Sequence, residues 1–326
     1  MITLEQTLLQ QKDLTTLCSD RPLKTRETFT PNAYYGNDFI LKQYASLPNK
    51  HSLRVIIPHG IDISDNFLWE AERDSTLPAF LCYSSLRKPL YNSTNKKIIH
   101  SAHTFVYLTE ILKEQPSKNK KGTIFFPIHS THHVTVQTDF EAMAKELISL
   151  DKEYQPITVC IYWRDYNLGH HLPFLKRKLC VVSAGHIYDP LFLYRFYYLC
   201  SMHHYSASNS IGSSLFFSIK AGCSYFPLDN IKYSHTATSQ ILKRDTSHPS
   251  LERKTTIKTL FKNPQPFTTT RQMETIDYYL GTQYLLTPLE LRHQLLHVKG
   301  PLNKYYNKIY PQQVIINKLK SLKSKL

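Results

Sequence analysis

Glycine is scarce in this chain, with nine in 326 residues. Neither GxxxxGK[ST] nor GxGxxG occurs, so a Gly-rich phosphate loop is excluded. Long apolar runs are missing too: residues 191–200 make a ten-residue run interrupted by Arg195, whereas a bilayer crossing takes roughly 20 residues. No membrane span is expected. The N-terminus has no basic stretch leading into an apolar core, so no secretion signal is expected and a cytoplasmic location is. Six cysteines (Cys18, Cys82, Cys160, Cys180, Cys200, Cys223) stand singly without a CxxC pair. They read as unpaired thiols of a reducing compartment, not as a metal cluster. There is no DxD triplet, no HExxH, no GxSxG and no kinase signature, which removes the usual motifs of metal-nucleotide, metalloprotease, serine hydrolase and kinase chemistry.

What is present is globular in composition, with 41% hydrophobic and 20% charged residues. The length allows two domains, each with its own core. The formal charge of +15 is unevenly placed: residues 291–326 hold eight Lys or Arg and no Asp or Glu. Ile315, Ile316, Leu319, Leu322 and Leu326 recur there at helical spacing between lysines, as in a basic amphipathic helix. Such a helix suits an anionic membrane surface; the same stripe also suits packing on its own protein.

Short apolar runs alternate with helical periodicity along most of the chain. In the first third, strands are expected near 53–60, 79–83 and 97–101, with a helix over 104–114. The polar, basic segment 114–122 is punctuated by Pro and Gly and makes the best boundary. Beyond it the alternation restarts, with a helix over 139–150 opened by Asp139 and a strand over 157–165. Residues 168–178 read as a poorly formed helix or loop. Residues 230–270 read as a long surface excursion, followed by a helix over 271–280 and another after Thr287-Pro288. The expected fold is α/β with parallel sheets. Its parts are an N-terminal domain over 1–115, a ligand-binding domain over 123–285 and a basic helical segment over 286–326.

The organising stretch is 181–227, two successive strand-turn-helix units. Ser206, Ser208, Asn209 and Ser210 precede Gly212, and Ser213-Ser214 open a helix. Hydroxyls, amides and a helix dipole there suit a diphosphate, although a Ser/Asn cap is the ordinary use of such residues. Gly185 and His186 stand at another strand end, with Asp189 near the next helix start. Gly60, Gly185 and Gly212 all fall where a sheet presents its C-terminal edge, and a Gly-poor chain spends glycine on positive φ or close approach. His59 ends the strand at IPHG and can act as a base. His129, Ser130 and Thr131 repeat that placement in FPIHSTHH. His129, His132 and His133 lack a nearby acid or cysteine, so no metal site is expected.

Two α/β halves, HG after a strand in the first and S/N-x-x-G-x-x-x-F-x-x-x-x-x-G before a strand in the second resemble the GT-B glycosyltransferases of bacterial surface polysaccharide synthesis. The likeness is strongest over 123–227. His59-Gly60 also matches the HG motif of the teichoic acid glycerophosphotransferases, where that histidine is the base. The resemblance implies two Rossmann-like domains facing across a cleft, with the basic amphipathic helix at the C-terminus. It further implies metal-independent transfer from a nucleotide-sugar, which is a substrate and leaves no cofactor, to a glycan or lipid-linked acceptor of lipopolysaccharide or capsule type. His59 would be the base. His129, Ser130, Thr131, Gly185, His186, Asn209, Ser210, Gly212, Ser213 and Ser214 would hold the nucleotide diphosphate. The enzyme would be cytoplasmic, peripheral on the inner face of the plasma membrane through the basic helix. Two other readings compete. A nucleotide-sugar epimerase or hydrolase would draw on Asp62, Asp65, Glu70 and Glu72. A nucleic-acid-binding protein is suggested by the charge and 22 tyrosines, although no RRM, KH or helix-turn-helix signature supports it.

Overall fold

The computed structural model describes residues 13–58, 60, 61, 63, 67–113, 120–131, 134–228, 230–237 and 247–298. His59 and the basic segment beyond 298 lie outside the described residues.

The chain is α/β with parallel sheets, as the alternation predicts. Its strands are β1 (Val55–Ile56), β2 (Ala79–Cys82), β3 (Lys97–His100), β4 (Thr123–Phe126), β5 (Val134–Thr138), β6 (Ile157–Cys160), β7 (Cys180–Val182), β8 (Tyr205–Ser208), β9 (Ser224–Pro227) and β10 (Tyr233–Ala237). The first three form a parallel sheet in the order β1-β2-β3. Five more form a parallel sheet in the order β7-β6-β4-β8-β9. β2 (AFLC) and β4 (TIFF) are buried throughout. Continuous apolar strands of this kind are what helices on both faces of a parallel sheet require.

Several helices begin and end where side-chain chemistry places them. Asp139 accepts the N–H of Ala142 at 2.8 Å and opens helix Phe140–Ser149. Thr269 with Gln272 and Thr287 with Glu290 form capping boxes on helices Thr270–Leu280 and Pro288–Leu296. Asp189 behaves differently. Helix Phe192–Ser201 starts three residues later, and the Asp189 carboxylate is buried against Arg195 Nη2 at 2.7 Å. The stretch 230–270 is not all surface excursion. It supplies β10, paired antiparallel with β5, and helix His248–Phe261, whose Ile257 and Phe261 are each 1% exposed.

The largest apolar core takes residues from both sides of segment 114–122. Phe105 stacks on Phe217 with ring centroids 4.5 Å apart, and Phe126 stacks on Phe196 at 4.9 Å. The chain also crosses back. Leu280 and Tyr284 accept the backbone N–H of His103 and Ala102 at 2.9 and 3.1 Å, and Leu286 accepts the Tyr44 hydroxyl at 3.1 Å. Near the N-terminus, Tyr35 N–H donates to Ile187 O at 2.7 Å. The two sheets are thereby braced by one packed interior.

Candidate functional site

In the five-stranded sheet the chain runs from β4 outward through β6 to β7, then returns across β4 to β8 and β9. The order reverses between β4 and β8, and a crevice opens beyond the carboxyl ends of two strands whose connections part in this way. A cavity of about 180 Å³ lies there. Its wall on this side includes Pro127 and His129 after β4, Tyr162 after β6, Ala184 after β7, and Ser210, Gly212, Ser213 and Ser214 after β8. The other wall comes from the carboxyl ends of the three-stranded sheet, with Gly60 after β1 and His103 after β3. Tyr83, after β2, donates its hydroxyl to Gly60 O at 2.7 Å. Ile61 N–H donates to Ser213 Oγ at 2.8 Å, which joins the two walls directly.

This placement gathers helix N-termini. In a parallel β-α unit the helix starts at the edge where its strand ends, so two such edges facing one cavity bring their helix starts together. Phe192 opens helix Phe192–Ser201, Gly212 caps helix Ser213–Lys220 and His103 caps helix Thr104–Leu112. Asn37 opens a fourth helix, Asn37–Tyr44. All four residues line the cavity. His103 Nδ1 accepts Phe105 N–H at 3.0 Å, whereas the other three helices carry no side-chain cap. Each N-terminus carries roughly half a positive charge. Among the described residues, no Asp or Glu lines the cavity to offset it. Aromatic rings of Tyr35, Phe126, Phe196 and Phe217 supply the apolar part of the wall.

The sequence-derived site residues divide. Ser210, Gly212, Ser213, Ser214 and His129 meet at the cavity, and Gly60 stands there beside His59, which lies outside the described residues. His129 is open to the cavity but ringed by protein, 4.5 Å from the Tyr162 ring. Desolvation lowers its pKa, opposed by the Asp165 carboxylate, so it is held neutral near pH 7. Ser214 has no hydrogen-bond partner for its hydroxyl among the described residues, which leaves that hydroxyl for a ligand. Gly212 corrects an expectation. Its φ of −144° is ordinary extended backbone, and a Cβ there would meet nothing within 4 Å.

The remaining residues do not line the cavity. Ser130 is 0% exposed; its N–H donates to both Asp165 oxygens at 3.2 and 3.0 Å, and its hydroxyl accepts Val136 N–H at 3.2 Å. Thr131 N–H closes a turn onto Val134 O at 2.8 Å, away from the cavity wall. Asn209 Oδ1 accepts Ile128 N–H at 2.7 Å and pins the loop after β4 to the loop after β8. Gly185 and His186 face elsewhere. His186 packs against Trp163 at 4.0 Å and sits 3.4 Å from Asp20, beside the cluster of Leu17, Cys18, Trp163 and Ile187. They were expected at the ligand because their strand ends there, but residues 13–20 cover that corner.

Sequence reading missed Asn37, His103, Tyr35 and Tyr162. Asn37 is 2% exposed, and its Oδ1 is buried without a partner. A polar residue just before the apolar run 104–112 is a helix-start signal, and it would have singled out His103. Tyr162 and Tyr35 carry no such mark, since they reach the cavity only through tertiary packing. Among the described residues, no group of three or more His, Cys, Asp or Glu is placed to hold a metal ion, and no helix is long and apolar enough to cross a membrane. No protein-family model matches the chain, and no curated protein matches it in sequence.

Proposed function

We propose that this chain is a glycosyltransferase of the GT-B type, moving a sugar from a nucleotide-sugar to a glycan or lipid-linked acceptor without a metal. The observation that carries the reading is the cavity where the carboxyl ends of two parallel sheets and four helix N-termini converge. On this reading the two sheets belong to two Rossmann-like halves, and the cavity is the cleft between them. A nucleotide diphosphate seats at the uncapped start of helix Ser213–Lys220, taking hydrogen bonds from first-turn amides and the Ser214 hydroxyl. Charge that develops on the leaving phosphate is stabilised by those fixed dipoles, which need no reorganisation. His129, neutral until a phosphate approaches, donates a hydrogen bond and gains a proton as the anion binds. His59, next to the cavity residue Gly60, removes the acceptor hydroxyl proton as that oxygen attacks the anomeric carbon and the nucleotide leaves.

The epimerase or hydrolase reading needs carboxylates facing the sugar. Glu72 is buried and paired with Arg87 at 3.3 Å, and Glu70 is exposed; neither lines the cavity, while Asp62 and Asp65 lie outside the described residues. The transferase reading rests on the cavity and its four helix N-termini. Its test is nucleotide release from a panel of nucleotide-sugars, with and without candidate acceptors. Acceptor-stimulated release that falls by about a hundredfold or more in His59→Ala supports it, on the usual scale of general-base catalysis. Release that ignores both the acceptor and His59 refutes it.

A further inference from the structure

Three leucines left in solvent fall within residues 168–175: Leu168 is 52%, Leu172 58% and Leu175 47% exposed. Helix Trp163–Asn167 ends at Leu168, Gly169 turns the chain at φ +78°, and Leu172 opens helix Leu172–Lys176. Phe174 is turned inward, 0% exposed and 6.3 Å from the Phe140 ring. Leu172 and Leu175, three apart, therefore share the outward face. Ile148, 47% exposed, stands on helix Phe140–Ser149, against which Leu172–Lys176 packs.

Cations flank the leucines. Arg164, Lys176, Arg177 and Lys178 belong to the same stretch, and the Lys176 side chain is 78% exposed. Glu141 pairs with Arg177 at 3.3 Å and reaches Lys176 at 4.0 Å, while Asp165 is 1% exposed and turned inward. Arg164 and Arg177 are half-buried, so the exposed cations beside the leucines are Lys176 and Lys178. Three leucines offer a few hundred Å² at most, well short of the roughly 800 Å² per partner that a stable protein interface buries. A small set of protruding apolar side chains with basic neighbours is what inserts into a bilayer's headgroup region. The patch is also close to the cavity. Tyr162, in its wall, directly precedes helix Trp163–Asn167, so Leu168, at the end of that helix, lies about 9 Å from it along the axis.

We infer that residues 164–178 form a docking surface for an anionic lipid bilayer. The leucines enter the headgroup region, the cations meet anionic headgroups, and the cavity is held beside the membrane surface. This stands independently of the glycosyltransferase reading.

The test is flotation of the full chain with vesicles of phosphatidylcholine alone or of equal parts phosphatidylcholine and phosphatidylglycerol. The chain floats with the anionic vesicles and only weakly with the neutral ones. Leu172→Glu with Leu175→Glu lowers that partition about tenfold or more at unchanged melting temperature. Lys176→Glu with Lys178→Asn lowers it for the anionic vesicles alone; Asn is chosen because position 178 sits at φ +60°. Three results overturn the inference. One is a leucine variant that floats like wild type, which assigns binding to another part of the chain. Another is no flotation with either vesicle. The third is a self-associated wild type that the leucine change dissociates, which makes the patch a contact between copies.

Discussion

Asn209 and Ser214 look alike in sequence and differ in what they hold. Asn209 is bonded through Oδ1 to Ile128 N–H, so Asn209→Ala strips a part-buried amide of its partner and lowers stability by about 1 kcal/mol. Ser214→Ala removes a hydroxyl with no partner among the described residues, so it leaves the melting temperature within about a degree. Nucleotide affinity reports the converse for Ser214→Ala, falling several-fold as one hydrogen bond to an anion is lost. Thermal melting and titration of both variants check this separation. A Ser214→Ala protein with unchanged nucleotide affinity would remove Ser214 from the site. His129 makes a pH prediction. Desolvation by the surrounding protein lowers its pKa in the empty cavity and a bound phosphate raises it, so binding takes up a proton. Nucleotide affinity should therefore rise as pH falls from about 8 to about 6, and His129→Gln should flatten that dependence. An equal slope in both proteins would place the titration on the nucleotide alone.

Helix starts set the geometry at the next scale. Helix Asn37–Tyr44 is entered through Gly36, at φ +77°, and a Cβ there would lie 2.0 Å from Pro190 O. That contact fixes the helix N-terminus against the loop leading to helix Phe192–Ser201, so two of the four converging starts depend on it. Gly36→Ala should cost several kcal/mol in chemical denaturation, from the left-handed backbone and the clash together. Gly212→Ala, where the backbone is extended and a Cβ meets nothing, should cost under about 1 kcal/mol. Equal costs at the two positions would contradict the reading. Scarcity of glycine marked Gly212, but only geometry separates a glycine the fold requires, such as Gly36, from one it tolerates. The strands and helices around the site were legible for a plain reason. Apolar runs such as TIFF and capped amphipathic stretches such as 139–149 carry their own signal. The β5–β10 pair was not, because VTVQT is short, partly exposed and earns its strand only by pairing. Nor could spacing show that Gly185 and His186, at a proper strand end, are covered by residues 13–20.

At the scale of the whole molecule, desolvated histidines tie stability to pH. His203 is 7% exposed, 2.7 Å from Leu199 O through Nδ1 and 2.9 Å from Thr158 Oγ1 through Nε2. Desolvation lowers its pKa despite the Leu199 carbonyl, as it does for His129. The folded state therefore binds fewer protons than the unfolded chain. Stability is at its full value above about pH 6.5, the unfolded histidine range, and falls as pH drops through the lowered folded values. Melting temperature measured from about pH 8 to about pH 5 should decline below that range, and less steeply in His203→Gln. The resemblance to GT-B enzymes began from HG and the serine-rich turn. Gly60, Ser210, Gly212, Ser213 and Ser214 do meet at one cavity, joined through Ser213 and Ile61. That meeting is set by two sheets sharing a core, which no local motif encodes.

Nucleotide binding tests the central claim most directly. In a thermal-shift measurement without added metal, wild type and Ser214→Ala are compared against UDP, GDP, CMP, dTDP and their sugar conjugates. One nucleotide class should stabilise the wild type by about 2.7 kcal/mol at a hundred times its dissociation constant, with a smaller shift in the variant at the same concentration. Stabilisation by no nucleotide, together with a salt-sensitive shift on adding oligonucleotides, would contradict the glycosyltransferase reading and favour a nucleic-acid partner.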